Sequence, residues 1–150
     1  MQRGFSGSSG PTARQSVEYS AKNFFTYQVV ITALAPSASS TSSFTIDGDS
    51  DFFWSKMTAW AMVDDDGTDS GSIEVPAVTV LITNTTSGRN YSNAPVPLYS
   101  IAGNAGLPFI LPIETFYAAK STISIQFQNV SDNKTYSDVY LSFHGIKAFL

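Results

Sequence analysis

Residues 107–150 read LPFILPIETFYAAKSTISIQFQNVSDNKTYSDVYLSFHGIKAFL, and the fold is decided in their second half. Ile123, Ile125 and Phe127 alternate with Thr122, Ser124, Gln126 and Gln128, the period of a half-exposed antiparallel strand rather than of a helix. After the polar turn SDNKTYS, Val139, Leu141 and Phe143 face in, while Tyr140, Ser142 and His144 face out. The two runs are expected to form a closing hairpin. At Gly145 the apolar phase passes to Ile146, Ala148 and Leu150, which predicts a bulge there. Upstream, Pro108 and Pro112 bracket Phe109, Ile110 and Leu111, a run too short and too proline-flanked for a helix, so a short extended segment at a sheet edge is expected.

Working back from this stretch, Val78, Val80 and Ile82 alternate with Thr79, Leu81 and Thr83 in another strand, with Pro76 placing its start near an edge or bulge. NTTSGRNYSN, residues 84–93, reads as a polar hairpin-like loop, Val96 to Tyr99 as a short extended segment and IAGNAG as a loop. FFWSKMTAWAMV, residues 52–63, splits into Phe53, Met57, Ala59, Ala61 and Val63 on one face and Phe52, Trp54, Trp60 and Met62 on the other. Both faces are largely apolar. That fits a central strand covered by the opposite sheet and by a loop or partner subunit; a helix is the competitor, because Ala and Met favour it, but the aromatics and the flanking Asp/Gly turns favour a strand. FFTYQVVITAL, residues 24–34, is β-branched and aromatic and reads as a core strand. Pro36 and SASSTSS end it, and Phe44, Thr45 and Ile46 make a short second strand. Residues 1–20 are rich in Gly and Ser and aperiodic, the composition of a flexible arm, with Arg3, Phe5 and Arg14 as its candidate contacts.

About eight strands separated by Ser, Gly, Asn and Asp turns predict an all-β antiparallel β-sandwich of jelly-roll or Greek-key type over residues 21–150, behind the arm. A chain of 150 residues suits one such domain. Only 13 % of its residues are charged, against about 25 % in an average soluble domain. Ser, Thr and Asn therefore cover much of the surface, which suits contact with protein.

The net charge of −4, with 8 basic residues scattered singly, offers no cationic stripe for a phosphate backbone, so no nucleic acid is expected as a ligand. The absence of cysteine removes disulfides, thiolate metal sites and thiol nucleophiles. No apolar run resembles a signal peptide or is long enough to span a bilayer, and no membrane partner is expected.

Candidate chemistry is sparse. Asp47, Asp49 and Asp51 form one acidic cluster, and Asp64, Asp65, Asp66 and Asp69 a second, with Glu74 beyond it. Oxygen-rich loops of this kind can bind Ca²⁺, but neither has the spacing of a metal motif, and Asp-Gly is an ordinary turn former. His144 is the sole histidine; no nucleophile elbow, phosphate-binding loop or zinc-binding helix motif accompanies it. The chain reads as a non-enzyme without cofactor or metal. Trp54, Trp60, Tyr91 and Tyr99 suit either a sugar-stacking face or a core and subunit interface. Trp54, Trp60, Tyr140 and His144 join the arm residues as candidate protein contacts. The four Asn-x-Ser/Thr sequons, at Asn84, Asn90, Asn129 and Asn133, read as chance in so Ser/Thr-rich a chain.

The closing stretch has a further character: a proline-flanked apolar run, Ala119-Lys120 leading into STISIQFQN, then VYLSFHGIKAF with Gly145-Ile146-Lys147 near its end. In this it resembles small virion proteins of tailed bacteriophages. The resemblance covers about 45 residues; upstream, only the Gly/Ser arm, the low charge and the lack of cysteine agree. It implies a β-sandwich that decorates or cements a capsid, or sits at the neck or collar, as a homo-oligomer bound to a major capsid or neck protein. The virion would be its location, after synthesis in the host cytoplasm. The competing expectation, from the aromatics, is a carbohydrate-binding adhesin or fibre module.

Overall fold

A computed structural model describes residues 18–63 and 75–150. Among the described residues, nine strands and one helical turn follow in chain order: β1 (Ala21–Leu34), β2 (Ser39–Thr45), β3 (Ser50–Val63), β4 (Val78–Asn84), β5 (Arg89–Asn90), β6 (Val96–Pro97), α1 (Leu98–Ile101), β7 (Phe109–Tyr117), β8 (Thr122–Asn129) and β9 (Tyr136–Phe149). They form two antiparallel sheets, a four-stranded one ordered β1-β9-β3-β7 and a five-stranded one ordered β2-β8-β4-β5, with β6 also on β4.

The pairs nest. β1 pairs with β9, β2 with β8, β3 with β7 and β4 with β5, as if one long hairpin had been wound around a barrel. That is the jelly-roll arrangement of an all-β sandwich. Between the sheets lies one apolar core, in which Phe52, Phe127, Phe143, Ile125 and Leu141 are fully buried.

The expected closing hairpin does not exist. β8 lies in the five-stranded sheet and β9 in the four-stranded one, so the turn between them crosses the sandwich. The crossing is held by Asn129, fully buried, whose Nδ2 donates to the Leu34 and Lys134 carbonyls at 3.1 and 2.7 Å while its Oδ1 accepts from the Ser131 amide and hydroxyl. One side chain thus ties the end of β1 to the connection. A strand's alternation fixes which face is buried but not which neighbour it pairs with.

The phases of β3 and β9 also differ from expectation. The extra residue of the bulge lies on β3, where Ser55 interrupts the register between Trp54, opposite Gly145, and Lys56, opposite His144. One inserted residue reverses the phase. Phe52 and Trp54 before it, and Met57 after it, are buried, while Trp60 and Met62 are exposed. The proposed set of Phe52, Trp54, Trp60 and Met62 on one face is therefore divided between inside and outside. On β9 the inward parity runs on through Gly145 to Lys147, leaving Ile146 and Leu150 exposed and Ala148 buried.

Gly145 is required by the close approach of β3. A Cβ there would lie 1.9 Å from the Phe53 carbonyl oxygen. Lys147 is accepted inside because its ammonium pairs with Asp47 and sits 4.5 Å from the Phe25 ring centre. That hydrogen bond to Asp47 raises the Lys147 pKa, keeping it charged.

Three shorter segments differ in extent from expectation. The first strand ends before Pro36, as expected, but the second begins earlier than Phe44: residues from Ser39 onward form β2, an edge strand whose backbone pairing with β8 outweighs the weak strand preference of serine. Of Val96 to Tyr99, only Val96 and Pro97 are extended. Leu98 opens the helical turn and is fully buried. The run around Phe109 is an edge strand, as expected, but extends through nine residues.

Candidate protein-contact face

The outer surface of the four-stranded sheet is built in tiers by the strand registers. Phe24, Ile146, Phe53 and Phe116 lie side by side across β1, β9, β3 and β7. The next tier is Thr26, His144, Lys56 and Ile110, then Gln28, Ser142 and Thr58, then Val30, Tyr140 and Trp60. Two apolar tiers thus flank two polar ones. Phe24 is 71 % exposed, Trp60 55 % and Phe116 51 %, far more than solvent-facing aromatics in a closed core would be.

The opposite exterior is of another kind. On the five-stranded sheet the outward positions are Ser39, Thr41, Ser43 and Thr45 of β2, Thr122, Ser124, Gln126 and Gln128 of β8, and Thr79 and Thr83 of β4, with Leu81 the apolar exception among these strands. The hydroxyl-rich composition therefore gathers on one face, and the exposed aromatics of the strands on the other.

His144 fastens the polar tiers. Its Nδ1 lies 2.9 Å from Thr26 Oγ1 and its Nε2 2.8 Å from Thr58 Oγ1, tying β1 to β3 across β9. Phe24 stacks on its ring, with centroids 6.3 Å apart and planes 11° from parallel. Burial lowers the His144 pKa, and the Lys56 charge lowers it further. Both ring nitrogens are engaged by hydroxyls, so the ring acts as a tie between neighbouring strands.

Of the sequence-predicted contacts, Tyr140, His144 and Trp60 meet on this face, with Trp60 and Tyr140 rings 5.3 Å apart. Trp54 does not belong with them. It is 3 % exposed, stacks on Tyr117 at 5.9 Å and donates its indole N–H to the Lys56 carbonyl at 2.9 Å, because the bulge follows it and keeps it on the core side. It can neither contact a partner nor stack on a sugar. Arg3, Phe5 and Arg14 lie outside the described residues.

Tyr19 and Ser20, counted with the arm, are fastened to the sandwich: the Tyr19 hydroxyl donates to Asp51 Oδ2 at 2.9 Å, its ring meets Phe53 edge-on, and the Ser20 amide donates to the Phe149 carbonyl. Sequence reasoning missed Phe24, Phe53, Phe116 and Ile146. A signal existed for Phe24, since it shares the parity of Thr26 and Gln28 on β1, and polar residues of one parity mark the outward side.

The first acidic cluster serves the fold. Asp47 pairs with Lys147, and Asp51 receives Tyr19 on one oxygen and the Ala119 amide, at 2.9 Å, on the other. Among the described residues no group of three His, Cys, Asp or Glu side chains is placed to hold a metal; the second cluster lies outside them. Asn129, one of the four sequons, is committed to the β8–β9 crossing.

No protein-family model and no curated protein matches the chain. Among solved structures it is similar to Drosophila NLP-core, whose report concerns pentamer formation and histone binding, at 11 % identity and a TM-score of 0.35, over 80 % of this chain and 96 % of that one.

Proposed function

We propose that the chain is a structural protein of a tailed-phage particle, of the decoration and cement kind or the neck and collar kind. It self-associates and attaches to a major capsid or neck protein. The observation that carries this reading is the tiered outer face of the four-stranded sheet: exposed contiguous aromatic and aliphatic side chains mark a contact surface, and aromatics are enriched at the cores of protein interfaces. The closing stretch supports the phage context through its resemblance, and the jelly roll is a topology that recurs in viral capsid proteins, although a fold alone does not specify a function.

The test is the mass of the purified chain by light scattering, together with its location in purified particles by labelling. A homo-oligomer is expected, and Phe24→Ser combined with Trp60→Ser should convert it to a monomer that stays folded, with an unchanged far-ultraviolet strand spectrum. A native monomer that leaves particles unbound would sink the reading. The exposed Trp60 ring against Tyr140 keeps a second reading, a carbohydrate-binding fibre module, which requires glycan binding that Trp60→Ala abolishes; a flat glycan array removes it.

A further inference from the structure

A second feature lies behind the contact face, on the inner side of β3. In the β3–β7 ladder Thr115 stands opposite Trp54 and Ile110 opposite Lys56, so residues 111–114 of β7 arch out against the single Ser55. Between this arch and β4, β6 and Tyr91 lies a half-open cavity of about 310 Å³, walled by Trp54, Met57, Ile82, Tyr91, Phe109 and Leu111 among others.

We propose that this cavity is a binding site for a small, neutral, mainly hydrocarbon molecule. Its size stands at the lower end of small-molecule sites, which span roughly 300–1,000 Å³. It is about twice an engineered cavity of about 150 Å³ that takes up benzene. One aromatic ring with a short substituent, or a short alkyl chain, fits.

The chemistry of the wall excludes other classes. Among the described residues no charged side chain lines the cavity, so an ion would lose its hydration without compensation from them. Three donors of the wall are engaged within the protein: the Trp54 indole N–H donates to the Lys56 carbonyl, the Ser92 hydroxyl to the Ala94 carbonyl at 2.7 Å and the Thr115 hydroxyl to the Ile113 carbonyl at 3.3 Å. With so few polar groups in a wall of mostly hydrocarbon side chains, a ligand is selected mainly by shape and apolar area. Trp54 and Tyr91 meet at 90° with centroids 5.7 Å apart, a fixed aromatic corner of the wall. Ile113 of β7 and Tyr91 across from it, both exposed, stand at the rim.

The three methionines of the chain make the test direct. Met57 lines the cavity, whereas Met62 is exposed on the outer side of the same strand. With methyl-¹³C methionine in the intact protein and toluene as the probe, the Met57 signal is expected to shift saturably and the Met62 signal to stay. In Trp60→Phe, which leaves Trp54 as the only tryptophan, the fluorescence should change over the same toluene range. Ile82→Phe, which enlarges a wall residue, should remove the Met57 shift. A Met57 signal unmoved up to the solubility limit of toluene overturns the proposal, as does unsaturable movement of both methionines together. So does a Met57 signal that moves with protein concentration alone, since a second copy's side chain would then occupy the cavity.

Discussion

Gly145 and His144 are adjacent and do opposite things to the β3–β9 ladder. Gly145 lets the Phe53 carbonyl approach where any Cβ would collide with backbone, so Gly145→Ala forces the two strands apart. A loss of roughly 2–3 kcal/mol is expected, as for overpacking elsewhere, readable in urea denaturation. His144 ties the outer face through Thr26 and Thr58. Because burial and Lys56 depress its pKa, the folded protein takes up the ring's proton less readily than the unfolded chain. Stability owed to this ring is therefore complete above the unfolded value of about 6.5 and declines as pH falls through it toward the folded pKa. The melting temperature should drop between neutral and mildly acid pH by more in the native protein than in His144→Gln; identical slopes would assign the ring no such role.

At the scale of elements, β3 shows how one residue sets the character of two surfaces. Ser55 adds a half-turn of phase, placing Met57 in the core and Trp60 outside. Deleting Ser55 would reverse every position after it, burying Trp60 and expelling Met57. Loss of the cooperative unfolding transition is expected, by calorimetry, whereas Ser55→Ala, which loses only a 3.3 Å hydroxyl bond to the His144 carbonyl, should cost about 1 kcal/mol or less. The β8–β9 crossing depends as heavily on Asn129. Asn129→Ala strands the Leu34 carbonyl and empties a buried polar site, for an expected loss of about 2–3 kcal/mol in chemical denaturation.

For the whole molecule, nesting makes the outermost pair the most distant in sequence: Ala21 aligns with Phe149. Closing that ladder requires ordering most of the chain first, and folds dominated by such non-local pairs fold in about milliseconds to seconds. Stopped-flow refolding should fall in that range, and a microsecond phase carrying the full amplitude would contradict the nested pairing. The same winding puts β1, β9, β3 and β7 in one sheet and so gathers the exposed aromatics of four separate stretches on one exterior, opposite the hydroxyl-rich one.

Composition and period-two alternation alone determine that this chain is an antiparallel β-sandwich, and they place Val139, Leu141, Phe143, Ile123, Ile125 and Phe127 inside it and Tyr140, Ser142 and His144 outside. Those features are local, because burial of one strand face is written in that strand's own residues. Pairing is not local. Which sheet receives β8 and which β9, that serine-rich residues 39–43 form a strand, and that Trp54 turns in while Trp60 turns out were all decided by contacts between segments far apart in the chain. The bulge at Ser55 can exist only because glycine faces it from β9, and the cavity only because β7 arches opposite that same residue.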